Sequence, residues 1–180
     1  PQSACTQPVA PGMIVENDTE ELRRLRRDLI DMLFVEGNHF CMFCEKSGDC
    51  ELQALAYRFA ITAPRYPFIF PRRELDATHP DILIDRNRCI LCGRCVRICQ
   101  EVRTADVLAF KDSGRATIIG PAWGRTHLEA GCEFCGACVE VCPTGALAEK
   151  ACKWDGKPDG ALRATCPFCA IGCQLDLNHK

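Results

Sequence analysis

The chain has 180 residues, 47% hydrophobic and 26% charged, a balance near that of globular domains that excludes wholesale disorder and suits one or two domains. Its 22 basic and 24 acidic side chains leave a net charge of −2, which offers no electrostatic footprint for a nucleic-acid partner. No apolar run of roughly 18 residues occurs, so no membrane span is expected, and no secretory signal is recognised.

Residues 1–17 combine Pro and Gly with the β-formers Met13-Ile14-Val15 and read as the end of a small β domain. The chain lacks an initial Met and opens inside what reads as a folded segment, Pro1 to Val15, so a processed or fragmentary chain is expected. From Thr19 to Glu36, Leu22, Leu25, Leu29, Met32 and Leu33 recur at helical spacing. Asp18 is the expected cap, with Glu21 completing a capping box, and Gly37 the expected stop. The opposite face carries Arg23, Arg24, Arg26 and Arg27 and reads as solvated.

After the first metal-ligand group, Leu52, Leu55, Ala56 and Phe59 mark a second short amphipathic helix. Residues 63–74 hold three prolines and three aromatics and should be extended. Ile82-Leu83-Ile84 reads as a short strand. Val107–Phe110 and Ala116–Ile119 flank Asp112-Ser113-Gly114 and read as a β-hairpin. Residues 153–160 are a turn-rich linker, with a new domain expected near Ala161.

The 16 cysteines would suit a disulfide scaffold in a short secreted chain, but their spacing argues for metal. They form four groups: His39-x-Cys41-x2-Cys44-x5-Cys50; Cys89-x2-Cys92-x2-Cys95-x3-Cys99; Cys132-x2-Cys135-x2-Cys138-x3-Cys142-Pro143; and Cys166-x2-Cys169-x3-Cys173. Cys5 and Cys152 stand alone, the latter read as a free thiol. The second and third groups are the iron–sulfur run whose last cysteine ligates the neighbouring cluster. Cys89, Cys92, Cys95 and Cys142 are therefore assigned to one [4Fe–4S] cluster, and Cys132, Cys135, Cys138 and Cys99 to a second. Gly93 and Gly136 allow the backbone to turn tightly inside the runs. Pro143 follows the later run, whereas Gln100 stands at that position after the earlier one.

Structural zinc and disulfides are the competing readings, and two copies of the triple-plus-one run suit neither. His39, beside three cysteines, is the expected fourth ligand of a third [4Fe–4S] cluster. A neutral imidazole there removes a negative charge and favours the reduced state, as histidine does in Rieske centres. His79, His127 and His179 lack such neighbours and read as ordinary. Cys166, Cys169 and Cys173 supply three thiolates toward a fourth cluster whose last ligand would lie downstream.

The segment Glu36 to Cys41, Cys44 to Gln53, and then Arg88 to Cys95 resembles the iron–sulfur diaphorase subunit of NAD-reducing hydrogenases. It is also similar to the large iron–sulfur subunit of complex I and to the α subunit of NAD-dependent formate dehydrogenases. Those relatives commonly place the histidine four residues before the first cysteine; here the gap is two, as in the hydrogenase type. The resemblance covers residues 1–150 and implies an α+β chain of small iron–sulfur domains with limited regular secondary structure. Residues 1–17 would end a plant-ferredoxin-like [2Fe–2S] domain with Cys5 as its last ligand. Residues 18–75 would form a His-ligated [4Fe–4S] segment, and 76–152 a two-[4Fe–4S] ferredoxin-like domain with an inserted hairpin. Residues 153–180 would be a linker and the start of a molybdopterin domain, because Thr165 to Cys173 resembles the opening of molybdopterin-dependent formate dehydrogenases.

Formate dehydrogenase is thus the favoured relative. It implies a cytoplasmic electron relay from a Mo or W centre beyond Lys180, through the clusters, to flavin- and NAD-binding diaphorase subunits. A hydrogenase, complex I-like or electron-bifurcating relay is the alternative. No residue reads as a general acid, base or nucleophile; the chemistry would belong to the cofactors.

Overall fold

The computed structural model describes residues 2–155, 158–167 and 170–179. Among residues 2–17 no strand forms and the side chains are exposed, so the β character read from Met13-Ile14-Val15 is not realised there. The first helix, α1, spans Glu20–Glu36. Its N-cap is Thr19, whose hydroxyl accepts from the Leu22 N–H at 3.3 Å. The expected cap, Asp18, instead grips Arg23 through two 2.8 Å contacts, so the capping box does not form. Gly37 ends α1 in extended rather than left-handed backbone, at φ −104°. Its glycine is required by a close approach: a Cβ there would meet the His39 ring at 2.5 Å.

The second helix, α2, spans Glu51–Arg58 and packs on α1, burying Ile30, Val35, Leu52 and Ala56. Residues 63–74 are free of helix, as the prolines dictate. They are laid across α1 by a polar clasp. Asp31, with no exposed surface, accepts from the Arg65 backbone and side chain, the latter at 2.9 Å. Arg65 also reaches Asp28 at 2.5 Å, and the Ile69 N–H bonds the Val35 carbonyl at 3.1 Å.

A three-stranded antiparallel sheet of order β1-β2-β5 follows, from Leu75–Asp76, Ile82–Asp85 and Leu147–Glu149. In β2 all four residues are buried, which matches a central strand covered on both faces. β2 precedes the first cysteine run and β5 follows the second. Their register, Ile82↔Glu149 and Ile84↔Leu147, therefore closes the two halves on each other. Between the runs, β3 (Leu108–Lys111) and β4 (Ile118–Pro121) pair antiparallel. The short helices α3 (Arg94–Arg97) and α4 (Ala137–Glu140) lie in contact, one within each run. The core combines Ile82, Ile84, Val96, Leu108, Ile119 and Leu147 with Cys95, and Cys89, Cys99, Cys138 and Cys142 pack against it.

Beyond the sheet, Lys153 is buried and paired with Glu45. The stretch read as a turn-rich linker is thus tied to the body at its start. Strands β6 (Gly160–Thr165) and β7 (Gln174–His179) form a separate hairpin.

Candidate metal centres

Four side chains of the first group surround one hollow of about 360 Å³: His39, Cys41, Cys44 and Cys50, with Phe34, Arg88 and Thr144 in its wall. Cys50 sits at the N-cap of α2. Its thiol is pushed up by burial, against which the first-turn N–H groups of Gln53 and Leu52 act. His39 follows the α1 stop, and Phe34 meets its ring edge-on at 5.8 Å. Burial, with the charges of Arg73 and Arg88, pushes its pKa down to about 4, so the imidazole is neutral near pH 7. Its Nε2 is buried without a hydrogen-bond partner. An imidazole with an unpartnered nitrogen and three thiols lining one hollow make up the donor set of a histidine-ligated iron cluster.

The second hollow, about 400 Å³, is lined by Cys89, Cys92 and Cys95 of the earlier run and Cys142 of the later one. The third, about 460 Å³, is lined by Cys132, Cys135 and Cys138 of the later run and Cys99 of the earlier one. Cys95 is pushed up to about 12 by burial and by Cys142, Cys89 and Cys92. Cys138 is likewise raised to about 12 by burial and by Cys135, Cys132 and Cys99. Such thiols ionise only when a cation takes the place of their protons. Four thiols drawn from both runs thus line each of these two hollows, a donor set that suits an iron–sulfur cluster.

The local backbone explains how two runs of one spacing make two similar cradles. Leu91 and Phe134, the third residue of each first C-x2-C, are left-handed at φ 53° and 57°. Gly93 and Gly136, each directly after the run's second cysteine, are left-handed at φ 72° and 68° and open α3 and α4. The repeat is therefore conformational as well as textual. A non-glycine residue in this region costs about 1 kcal/mol or more, held here by the surrounding packing. Gly93 is also sterically required, since a Cβ would meet Phe110 of β3 at 2.9 Å.

Several residues that matter carried no signal in the sequence. Thr144 lines both the first and second hollows and donates to the Arg88 carbonyl at 2.8 Å. Arg88 is paired with Glu45 at 2.5 Å and Asp85 at 3.2 Å, and Lys153 also pairs with Glu45. The Glu51 N–H opening α2 bonds the Pro143 carbonyl at 2.9 Å, beside an Arg94–Glu51 ion pair at 2.6 Å. These contacts lock the His39 segment to the sheet domain.

His79 and His127, read as ordinary, are almost fully buried and meet edge to face at 5.5 Å. His127 also lines the third hollow. Cys5 is exposed, 3.1 Å from the Ser3 hydroxyl, and lines none of these hollows. Cys152 is exposed, with Glu149 at 3.4 Å. Cys166 and Cys173 stand at the loop end of the β6–β7 hairpin, just past the Thr165↔Gln174 pair, joined by a 2.8 Å backbone hydrogen bond; Cys169 lies outside the described residues.

Among the described residues no helix is long and apolar enough to cross a membrane. Residues 26–65 match the NADH-ubiquinone oxidoreductase-G iron-sulfur binding region, and residues 79–148 the ferredoxin-like domain of NADH-quinone oxidoreductase subunit 3. The alpha subunit of the NADPH-Fe(3+) oxidoreductase of Geobacter sulfurreducens is 35% identical over all of this chain and 21% of its own length. The gamma subunit of the NAD-reducing hydrogenase HoxS of Cupriavidus necator is 36% identical over 85% of this chain and 65% of its own. NADH-quinone oxidoreductase subunit 3 of Thermus thermophilus is 31% identical over 98% and 24%. A chain in a crystal structure of an NAD+-reducing [NiFe]-hydrogenase in the H2-reduced state superposes with a TM-score of 0.76 at 41% identity, over 85% of this chain and 65% of that one. The chain spans about a fifth of the length of the first curated relatives it matches. Two matched regions in tandem, with a structural neighbour at this similarity, identify the chain as one that carries iron–sulfur domains of the NADH-quinone oxidoreductase G type, a ferredoxin-like domain among them, similar to those of NAD-reducing hydrogenase and of complex I.

Proposed function

We propose that this chain is an electron relay within an NAD(P)-linked oxidoreductase. His39, Cys41, Cys44 and Cys50 would hold one [4Fe–4S] cluster, Cys89, Cys92, Cys95 and Cys142 a second, and Cys132, Cys135, Cys138 and Cys99 a third. When bound, such clusters take up and release single electrons. The chain's own residues supply spacing, burial and charge. Thr144 lines both of the first two hollows and bonds the carbonyl of Arg88, which lines the first, and Cys138 lies near enough to raise the Cys95 thiol, so the second and third hollows adjoin. Arg88 and Arg73 bring positive charge toward His39, which favours an added electron there. The observation that carries the reading is the interleaving of the runs: the last cysteine of each lines the other's hollow.

In this reading the partners are flavin- and NAD-binding diaphorase subunits and the rest of the parent chain, in a reducing cytoplasmic setting that keeps the thiols available. Cys5 would end a [2Fe–2S] domain. One sequence feature favours a finer version: Cys166-x2-Cys169-x3-Cys173 resembles the entry to a molybdopterin domain. Those cysteines would serve a fourth cluster, and formate oxidised at a Mo or W centre would be the electron source.

The test is anaerobic purification followed by iron, zinc and acid-labile sulfide analysis and EPR during stepwise reduction. Iron and sulfide in equal amounts, with several reducible signals, is the expected result; zinc without sulfide overturns the relay. In the full-length chain, formate added with no other reductant should reduce the clusters. Hydrogen or NAD(P)H doing so while formate does not removes the finer version alone.

A further inference from the structure

The first hollow has in its wall a histidine with a buried, unpartnered nitrogen, and so does the third. His127 is 4% exposed, lines the space bordered by Cys99, Cys132, Cys135 and Cys138, and leaves both Nδ1 and Nε2 buried with no hydrogen-bond partner among the described residues. A neutral imidazole carries one N–H and one lone pair, and buried polar groups in folded proteins are otherwise matched. Its backbone position is firmly held. Thr126 and Glu129 bond each other reciprocally, with the Thr126 N–H donating to the Glu129 carboxylate at 2.7 Å and the Glu129 N–H to the Thr126 hydroxyl at 3.3 Å. The Cys132 N–H then donates to the His127 carbonyl at 3.0 Å, which ties the histidine turn to the cysteine loop.

The His127 ring also meets His79, perpendicular to it at 5.5 Å. That residue's Nδ1 accepts from the Asp81 and Ile82 N–H groups at 3.0 and 2.9 Å, so its proton sits on Nε2. His79 also packs against Phe134, the rings tilted by 50° with centroids 4.7 Å apart; Phe134 lies inside the same cysteine loop. Among the described residues neither histidine has an acceptor for its N–H, and His127 is the one in the wall of the hollow.

We propose that His127 donates a hydrogen bond to sulfur of the cluster held by Cys99, Cys132, Cys135 and Cys138, and thereby raises that cluster's reduction potential above the value its cysteines alone would set. This rests on the third hollow being a cluster site. A donor directed at sulfur stabilises the reduced, more negative state, which is one of the levers by which proteins tune such potentials. The bond adds no ligand and transfers no atom. It biases the order in which the hollows fill with electrons.

The experiment is a redox titration of the anaerobically purified chain followed by EPR, comparing the unsubstituted protein with His127→Leu and His127→Asn. The signal of the third hollow is identified as the one that Cys135→Ala removes. Iron and sulfide should be unchanged in both His127 variants. The identified signal should titrate at lower potential in His127→Leu, return toward the original value in His127→Asn, which restores an N–H, and leave the other signals unmoved. With 15N-labelled histidine in the unsubstituted chain, the same signal should show a weak nitrogen coupling, a readout that survives even if His127→Leu does not fold. A third-hollow cluster that assembles, keeps its potential in His127→Leu and shows no histidine coupling overturns the proposal. Absence of any iron signal lost in Cys135→Ala refutes the cluster site itself, a separate outcome.

Discussion

His39 sits where three independent constraints meet: the α1 stop at Gly37, the edge of Phe34, and the thiols of Cys41, Cys44 and Cys50. Replacing it by Ala should remove or convert one [4Fe–4S] EPR signal and leave the other two, because the second and third hollows draw no ligand from this segment. An unchanged set of spectra would reject the ligand role. Gly37→Ala should give a milder version of the same defect, since the new methyl would lie 2.5 Å from the His39 ring and must displace it. Cys99 offers the complementary test. Although it belongs to the earlier run, it lines the third hollow. Cys99→Ala should therefore damage the signal shared with Cys132, Cys135 and Cys138; loss confined to the Cys89 site would show that the pairing of runs is wrong.

A buried carboxylate secures the helical segment and a partly buried one the sheet. For α1, Asp31 depends on Arg65. Arg65→Ala leaves that carboxylate buried with the backbone N–H of residue 65 but without its cation, so denaturant unfolding is expected to shift to lower denaturant. In β1, Asp76 pairs with Arg86 at 3.1 Å and accepts from the Thr78 hydroxyl at 2.7 Å. Burial, which alone would raise its pKa, is outweighed by these partners, and Asp76 is held below the ordinary aspartate value of 3.8. A depressed pKa means the unfolded chain binds the proton more readily, so this stabilisation is present above about pH 4 and fades as pH falls through the lower folded value. Asp76→Asn should cost about 2 kcal/mol at pH 7 and make the acid limb of a pH–stability curve shallower. An acid limb identical to that of the unsubstituted protein would remove Asp76 from the acid response.

Taken as a whole, the ferredoxin-like part has a core in which cysteines occupy places that aliphatic side chains would otherwise take. Cys95 and Cys138, raised to about 12, are poor metal ligands until iron displaces their protons, so cluster assembly and folding of residues 76–152 should be one process. Chelation of iron under reducing conditions should abolish the cooperative unfolding transition and expose apolar surface, read by circular dichroism and dye binding. A sharp transition that persists in iron-free protein would show that the sheet β1-β2-β5 stands alone. The contacts Glu51–Arg94, Glu51–Pro143 and Glu45–Arg88 should transmit part of that loss to the His39 segment.

Much of this was legible in the linear chain because short-range rules govern it. The spacing of the cysteine runs, the left-handed glycines within them, the apolar periodicity of α1 and α2, and the proline-barred stretch 63–74 all depend on neighbours a few residues away. Even there, local competition decided details: Thr19 rather than Asp18 caps α1, because Asp18 is taken up by Arg23. What the one-dimensional pattern could not yield depends on residues far apart in sequence. Thr144 and Arg88, 56 positions apart, meet only because β2 and β5 pair. His79 and His127 acquire a shared burial site because the turn before β2 and the turn before the second run are folded against one cysteine loop. Ligand identity is written in residue type and spacing, whereas the desolvation and unmatched polar atoms that tune a site exist only once distant segments have excluded water together.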